Sequence, residues 1–308
     1  MRDFVIKKVL APIDFSETSM NALETAIALS KKHDAQLSII HVLENTRFLY
    51  TAAGGLSAIA LLPELLRTAN EKLSEISSKI RVLHQLNVRY AVLTGSPVDG
   101  ICEEATRDDA DIVVLGSHGT TNFKELFLGS TACLIVKNAP VPVLTVPHDR
   151  PWRDFKKILF PVRQDSNSFD KCEFMLPIVR MDRASVLIAG IVNNNDRQAQ
   201  WQVEQTVEEI QSKLVSDDIP CGAQFFACKN LSRQVLEIAQ IEKPDLIVIT
   251  TTSASGIWDI FSPPFAQDVV NHSHFPVLSI RPRMEVDAQM NAVQFVDERL
   301  GNRSMVFG

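Results

Sequence analysis

An internal repeat constrains the fold of this chain more than any other feature of its sequence. The opening segment KKVLAPIDFS, at 7–16, has a counterpart in KKILFPVRQDS, at 156–166. Two further pairs follow in the same order, DADIVVLGSHG at 109–119 with KPDLIVITTTS at 243–253, and APVPVLTVP at 139–147 with HFPVLSIRP at 274–282. A chain of 308 residues is long enough for two domains of about 100 to 200 residues. The repeat therefore predicts two similar domains in tandem, here called the first copy and the second copy.

The spacing of the matches reveals one insertion. Matching residues are 149 positions apart early in the chain, as for Asp14 and Arg163. They are 134 positions apart later, as for Gly116 and Thr250. The first copy therefore carries about 15 additional residues, which we expect within 44–60.

A short linker, HDRPWRD, separates the two copies. We predict the first domain over 1–149, the second over 154–283 and a C-terminal tail over 284–308. The tail has no counterpart in the repeat, and its stretch MNAVQFV suits an added edge strand or docking on a neighbour. The stretch FLYTAAGGLSAIA, at 48–60, is too apolar for a solvated loop, so we expect a packed cover or interface, or a flap near a binding site.

Short apolar runs alternate with helical stretches in the first copy. Five runs have the character of buried strands: 9–13, 37–42, 88–93, 112–115 and 143–146. From Leu62 to Leu83, apolar residues recur every three or four positions, which predicts an amphipathic helix. Ser96 followed by Pro97 predicts the start of another helix, and the second copy repeats the scheme with an apolar stripe from Val203 to Leu214. Both copies are therefore predicted as doubly wound α/β domains with parallel sheets.

Composition excludes several classes of partner. The formal charge is -6, and no run of basic residues is long enough to follow a phosphate backbone, so nucleic acid is not an expected partner. No stretch approaches the roughly 18 apolar residues of a membrane span, and the start lacks a signal-peptide core, which predicts no membrane partner and a cytoplasmic protein. Five cysteines without a CxxC pair disfavour a disulfide framework or a zinc ribbon.

A glycine-rich segment, GSHGTTNFKELFLGST, follows the fourth predicted strand of the first copy. Gly116 and Gly119 are separated by two residues, and nine more precede Gly129 and Ser130. Glycine lets backbone amides approach an anion without an intervening side chain, and the amides of a helix starting at Ser130 favour a phosphate. The pattern predicts a phosphate-binding loop, and the alternative is an ordinary strand-to-helix loop. Neither GxxxxGK[ST] nor GxGxxG is present.

Taken together, the motifs resemble the universal stress protein family, in its ATP-binding branch. They are VLAPIDFSETS at the start, LSIIHVLE in the second strand, LTGSP before the third helix, the GSHG to GST segment, and APVPVLTVP at the end. The resemblance covers 7–147 well and 156–282 as a diverged second copy. It implies a Rossmann-like fold, similar to that of adenine nucleotide alpha hydrolases, and two copies joined as a pseudo-dimer. The last strands, 141–146 and 276–280, would then pair across a pseudo-twofold axis within the chain.

The resemblance also implies a nucleotide site, with ATP as the ligand, with or without Mg²⁺. Asp14 would bind the base, and the backbone of Val42 would contact it. The residues implied for the ribose and the phosphates are Gly116, His118, Gly119, Gly129, Ser130 and Thr131. An ionised Asp14 only accepts hydrogen bonds, which suits an adenine amino group or a ribose hydroxyl. Asp14 and Gly116 would lie at the carboxyl ends of neighbouring strands, where open α/β sheets bind ligands.

For three of the charged or titratable side chains near this motif, a role that involves no ligand is an alternative. Asp14 has the alternative role of supporting the start of the helix that follows it. His118 has the alternative of an exposed loop histidine. Lys124 would supplement the charge that faces the phosphates, or else be a solvated surface lysine.

The second copy lacks nearly every feature of this site. Its residues at the positions of Gly116, Gly119, Gly129 and Ser130 are Thr250, Ser253, Pro263 and Pro264. Proline has no amide proton and fixes φ, so the two prolines remove donors and forbid the glycine geometry. Arg163, at the position of Asp14, only donates hydrogen bonds, and would hold an anion or pair with Asp165. We therefore expect one nucleotide per chain.

Three functions remain open from the sequence. The favoured one is an ATP-binding regulator of the stress response, in which occupancy of the first domain changes the conformation or the partner choice of the pair. The second is a weak ATPase or phosphotransferase, for which the sequence offers no nucleophile and base pair, so no catalytic residue is assigned. The third is an adaptor with a vestigial site. The sequence identifies no protein partner and leaves further self-association open.

Overall fold

A computed structural model describes residues 4–44, 56–117, 130–150, 152–164, 167–193, 197–251 and 265–281. Several sequence predictions fall outside these ranges. They concern His118, Gly119, Lys124, Gly129, Asp165, Ser253, Pro263 and Pro264, the first part of the apolar stretch 48–60, and the tail 284–308.

Strands and helices alternate along the described parts of both copies. The elements of the first copy are β1 Lys8–Pro12, α1 Glu17–His33, β2 Gln36–Glu44, α2 Leu56–His84, β3 Val88–Gly95, α3 Pro97–Arg107, β4 Ile112–Gly116, α4 Ser130–Asn138 and β5 Val143–Val146. Those of the second copy are β6 Lys157–Val162, α5 Ser168–Asp182, β7 Ser185–Asn193, α6 Arg197–Ser216, β8 Cys221–Cys228, α7 Leu231–Glu242, β9 Leu246–Thr250, α8 Phe265–His272 and β10 Val277–Ile280. The five strands predicted for the first copy are all present, with ends within two residues of the expected ones.

The ten strands form one sheet in the order β3-β2-β1-β4-β5-β10-β9-β6-β7-β8. Pairing is parallel within each copy, and the copies meet where β5 and β10 pair antiparallel, with Leu144 opposite Leu278. The predicted pairing of the last strands within one chain is therefore confirmed. Equivalent strands of the two copies occupy mirrored places in this order, and the two last strands run in opposite directions, so the copies are related by a pseudo-twofold axis through the sheet.

Helices cover both faces of the sheet. On one face, α1, α2, α5 and α6 pack over a core that includes Ile39 and Leu73 of the first copy and Ile188 and Val207 of the second. On the other face, α3, α4, α7 and α8 pack over a second core. Each core contains buried residues of both copies, so the hydrophobic interior is continuous across the pseudo-twofold axis.

The long helix α2 accounts for part of the insertion in the first copy. It has 29 residues, against 20 in α6, its counterpart in the second copy. The predicted apolar stripe is buried at Ala69, Leu73 and Ile80. At Leu83 the prediction was wrong, since that side chain is 73% exposed in the last turn of the helix.

A cluster of charges ties the end of α1 to the second copy. The Lys32 ammonium pairs with Asp154 at 2.5 Å and with the buried Asp182. Lys32 also lies 5.0 Å from the ring centre of Trp152, in the linker. Within the described residues, no helix combines the length and apolar character needed to cross a membrane.

Candidate functional site

Asp14 and Gly116 follow two strands that are direct neighbours. Strands β1 and β4 pair in parallel, with Leu10 opposite Val113, so their carboxyl ends lie at the same edge of the sheet. The chain leaves β1 for α1 on one face and leaves β4 towards α4 on the opposite face. The two residues therefore flank a topological switch point, the usual place for a ligand in such a sheet.

The exposed carboxylate of Asp14 is held by the turn that precedes α1. Its Oδ1 accepts hydrogen bonds from the backbone amide of Ser16 at 3.0 Å and from the Ser16 hydroxyl at 2.5 Å. Burial raises the pKa of Asp14, but hydrogen bonds from Ser16 and Ser19 outweigh it and keep the pKa below its usual value. A carboxylate offers about four lone-pair sites, so these bonds leave capacity for a ligand donor.

The same contacts start the helix. The Ser16 hydroxyl caps α1 by accepting from the backbone amide of Ser19 at 3.2 Å. The backbone amide of Asp14 donates to the Ser19 hydroxyl at 3.3 Å. Asp14 thus supports the helix start, which was its alternative role, and the two roles are compatible because one turn serves both.

The backbone of Val42 faces the end of β1. The pairing of β1 with β2 ends at Ile40, whose carbonyl accepts from the amide of Ile13 at 2.8 Å. Peptide groups alternate in direction along a strand, so the amide and carbonyl of Val42, two residues on, point to the same side. Strand β1 has ended there, which leaves this backbone directed at the switch point.

Gly116 has a packing role that the sequence did not reveal. A Cβ atom at this position would lie 2.7 Å from Cγ2 of Thr18 and 3.0 Å from its backbone carbonyl group. Glycine therefore lets the first turn of α1 approach the end of β4. About a hundred residues separate Thr18 from Gly116, so no local sequence pattern indicates this contact.

Helix α4 begins at Ser130, as predicted, and both Ser130 and Thr131 are exposed. In a strand-helix-strand unit the helix runs antiparallel to its strands, so the start of α4 lies at the carboxyl edge of the sheet. Its first backbone amides have no partner within the helix and favour an anion there.

A second contact that the sequence did not indicate lies beside Asp14. The ring of Phe15 lies 4.6 Å from the ring of His41, between ring centres, and 5.1 Å from the Lys72 ammonium. His41 Nδ1 lies 2.7 Å from the carbonyl oxygen of Ile13. Phe15 has a φ of 64°, uncommon for a residue other than glycine. These side chains fill the space between α2 and the loop after β1.

In the second copy, side chains take the place of the exposed helix start. Phe265 begins α8 and corresponds to Thr131 in the repeat. The guanidinium of Arg163, which corresponds to Asp14, lies 4.7 Å from the ring centre of Phe265. An arginine and an aromatic ring therefore meet at the positions where the first copy has a carboxylate, Asp14, and an exposed threonine, Thr131.

Known proteins resemble this chain most clearly in its first copy. The model of the universal stress protein family matches residues 6–147. A universal stress protein of Methanocaldococcus jannaschii is 32% identical over 140 residues, a match that covers 46% of this chain and 81% of that protein. A second universal stress protein of that organism is 29% identical over 153 residues, covering 46% of this chain and 94% of its own length.

One solved structure extends the likeness to both copies. A universal stress protein from Archaeoglobus fulgidus has a TM-score of 0.72, covers 90% of this chain and 99% of its own, and is 18% identical. At that identity the likeness concerns the fold alone. The tandem architecture is thus shared with a known structure.

Proposed function

This chain belongs to the universal stress protein family, and from that premise we propose that its first copy binds one ATP and regulates a cytoplasmic stress response. Occupancy of the site changes the conformation or the partner choice of the two-copy assembly. The observation that supports the proposal is the parallel pairing of β1 with β4, which brings Asp14 and Gly116 to the same edge of the sheet.

The residues present fit an adenine nucleotide. The Asp14 carboxylate, ionised at neutral pH, accepts from an adenine amino group or a ribose hydroxyl. The Val42 backbone offers a donor and an acceptor, the combination that a base edge requires. The exposed hydroxyls of Ser130 and Thr131, with the amides of α4, suit the phosphates.

Both helices that border the site also contact the rest of the molecule, which supports a regulatory role. From α1, Asn21 Nδ2 donates to the carbonyl of Pro147, just before the linker, at 2.9 Å and to the carbonyl of Arg150, within the linker, at 2.8 Å. Arg150 Nε in turn donates to the carbonyl of His274 in the second copy at 2.8 Å. A displacement of α1 on binding would therefore reach the second copy through the linker.

Helix α4 contacts the second copy directly. The Cys133 thiol donates to Oδ1 of Asn271, on α8, at 3.3 Å. Ligand binding at the start of α4 therefore acts on a helix that packs across the pseudo-twofold axis. Regulation by a ligand requires two conformations of the protein that differ in their affinity for that ligand. We expect the arrangement of α4 against α8 to differ between these two conformations.

Calorimetric titration tests the binding part of the proposal. We expect one ATP per chain, and Asp14→Asn should weaken binding because it replaces an acceptor-only carboxylate by a neutral amide. Gly129→Pro, which introduces the residue of the second copy, should weaken binding at least about a hundredfold if two charge-assisted hydrogen bonds are lost. Pro263→Ala is the matched control and should leave the number of ATP molecules bound per chain at one. Two ATP per chain, or unchanged affinity in Gly129→Pro, would contradict the proposal.

Hydrogen exchange tests the regulatory part. Saturating ATP should change the exchange of α8, in the second copy, and Asn21→Ala should reduce the effect of ATP on the linker without abolishing binding. If ATP binds with no change in exchange outside the first copy, the nucleotide is bound but does not regulate the pair.

A further inference from the structure

A cavity of about 310 Å³ lies in the second copy, between the loop after β6, the start of α5 and the first half of α6. Its lining is rich in side-chain amides and includes two aromatic rings. The side chains used below belong to Gln164, Asn167, Phe169, Trp201, Gln202 and Gln205. All of the described lining belongs to the second copy, so the cavity is distinct from the nucleotide site proposed for the first.

Two aromatic side chains at this cavity are largely exposed. Trp201, on α6, is 62% exposed, and Phe169, in the first turn of α5, is 45% exposed. Apolar surface in contact with water is unfavourable, and exposed apolar groups that lie together are typical of binding sites. The two rings therefore suit a ligand that has an apolar face of its own.

Side-chain amides supply the polar part of the lining. Gln164 Nε2 donates to Oε1 of Gln202 at 3.2 Å, and each of these two amides keeps donor and acceptor sites that the bond does not use. The amide of Gln205 donates to Glu208 at 3.4 Å and keeps its carbonyl oxygen. Asn167 precedes α5 without capping it through its side chain, so its amide is a further group for a ligand. Donors and acceptors placed side by side suit hydroxyl groups, each of which both donates and accepts.

The described lining offers a ligand no ionic partner. Arg163 is its charged member, but the guanidinium lies 4.7 Å from the ring centre of Phe265, and its Nε and Nη2 are buried. The other described lining side chains are amides, hydroxyls and apolar groups. A charged ligand would lose part of its hydration here without gaining an opposite charge, so the lining favours a neutral one.

The size of the cavity limits the ligand to a small molecule. Its volume lies at the lower end of the range of about 300 to 1,000 Å³ found for ligand sites, which suits one or two rings. A sugar has hydroxyl groups around its rim and an apolar face of C–H groups, the two features that the lining selects. We infer that this cavity of the second copy binds a neutral sugar of one or two rings, packed on Trp201 and hydrogen-bonded to the amides of Gln164 and Gln202.

The experiment uses the full chain with ATP at saturation, so that a sugar does not occupy the ribose position proposed in the first copy. Glucose, galactose, maltose and trehalose are titrated by calorimetry and by ligand-observed NMR. We expect saturable binding of at least one sugar, one per chain, with a dissociation constant below about 5 mM. The signals of its ring C–H protons should move upfield, because these protons would lie over the face of Trp201.

A charged counterpart tests whether the site prefers a neutral ligand. The 6-phosphate of the sugar that binds best is titrated under the same conditions. It should bind no more tightly than the sugar itself, because the described lining provides no cation to pair with the phosphate.

Matched variants locate the binding. Trp201→Ala should weaken the bound sugar at least about tenfold and abolish the upfield shift, whereas Trp201→Phe keeps a ring and should retain part of both. Gln202→Leu removes an amide at similar size and should also weaken the sugar. Gln240→Leu makes the same change at an exposed site on α7 and should leave the affinity unchanged. Folding of each variant is checked by its circular dichroism spectrum and its thermal unfolding.

Four results would overturn the inference. They are the absence of saturable binding for all four sugars, equal affinity in Trp201→Ala and the parent, tighter binding of the sugar phosphate than of the sugar, and binding that appears only when ATP is omitted. The third result would assign the cavity to an anion, and the fourth would place the sugar in the first copy.

Discussion

At the scale of single residues, we expect Lys171 to make the stability of the fold depend on pH. It lies on the inner side of α5 with 1% of its surface exposed, and its Nζ donates to the carbonyl of Pro161 and lies 4.0 Å from the ring centre of Phe160. Burial lowers the pKa of Lys171 well below its usual value, and the positive charge of Arg163 lowers it further. Between the folded-state pKa and about 10.5, the unfolded chain therefore holds a proton that the folded protein lacks.

The sign of the effect follows from this difference in bound protons. As the pH falls from about 10.5 towards the folded-state pKa, this lysine lowers the free energy of unfolding by about 1.4 kcal/mol per pH unit. Lys171→Met keeps an unbranched side chain of similar length and removes the titration. The stability of the variant relative to the parent should therefore increase as the pH is lowered within this window, as measured by urea denaturation.

Lys31→Met is the control, because Lys31 is an exposed lysine on α1. Its free energy of unfolding should follow that of the parent across the same pH range. A constant difference between Lys171→Met and the parent would mean that Lys171 keeps its proton in the folded protein.

At the scale of elements, the contact between Gly116 and Thr18 couples the end of β4 to the start of α1. We expect Gly116→Ala to destabilise the fold by about 1 to 3 kcal/mol, because the new methyl group meets backbone as well as a side chain. Thr18→Ser in the same background removes the clashing methyl group and should recover only part of the loss. Thermal unfolding of the single and double variants measures both effects.

Gly222 provides the matched control for that substitution. It lies in β8, and a Cβ atom there would meet nothing within 4 Å. Gly222→Ala should therefore change the stability by no more than about 0.5 kcal/mol. If the two alanine variants behaved alike, close packing would not be the reason for glycine at 116.

The elements themselves could be predicted from sequence because their signals are local. Alternation of buried strands and helices gave the α/β class, and Ser96 does cap α3 by accepting from the amide of Asp99. The resemblance to the universal stress protein family, together with the repeat, implied the pairing of β5 with β10, and the structure has this pairing. Leu83 was wrongly predicted to be part of the buried stripe, because helical periodicity does not indicate where a helix extends beyond the sheet that it covers.

The missed parts of the candidate site depend on contacts between residues far apart in the chain. Phe15 meets Lys72, and Arg163 meets Phe265, only after the strands between them have paired. The repeat register aligns Phe15 with Gln164 and His41 with Gly190. Without the fold, however, nothing shows that these positions share one space.

At the scale of the whole molecule, the second copy covers an edge of the first. All four residues of β5 are buried, and β10 pairs along its outer side. An apolar edge strand left open tends to pair with another chain. The second copy thus acts as a permanent partner that closes the sheet of the first and continues both of its cores.

Removal of the second copy should therefore convert pairing within the chain into pairing between chains. We expect a fragment of residues 1–150 to form a dimer at micromolar concentration, with β5 of one molecule antiparallel to β5 of the other around the same twofold axis. Each half would carry the proposed nucleotide site, so the dimer should bind two ATP. Analytical ultracentrifugation and calorimetry measure the two quantities.

Thr145→Pro tests whether β5 is the contact. The carbonyls of Pro142 and Val146 bond to the amides of Val113 and Ser117 on the β4 side, so by alternation the amide of Thr145 faces outwards, towards β10 in the full chain. Proline removes that outward donor and is tolerated at a strand edge. The variant fragment should remain a monomer while it still binds ATP, because the β1 and β4 ends are untouched. A wild-type fragment that stays monomeric, or a proline variant that still forms dimers, would show that β5 does not drive the association of the two halves.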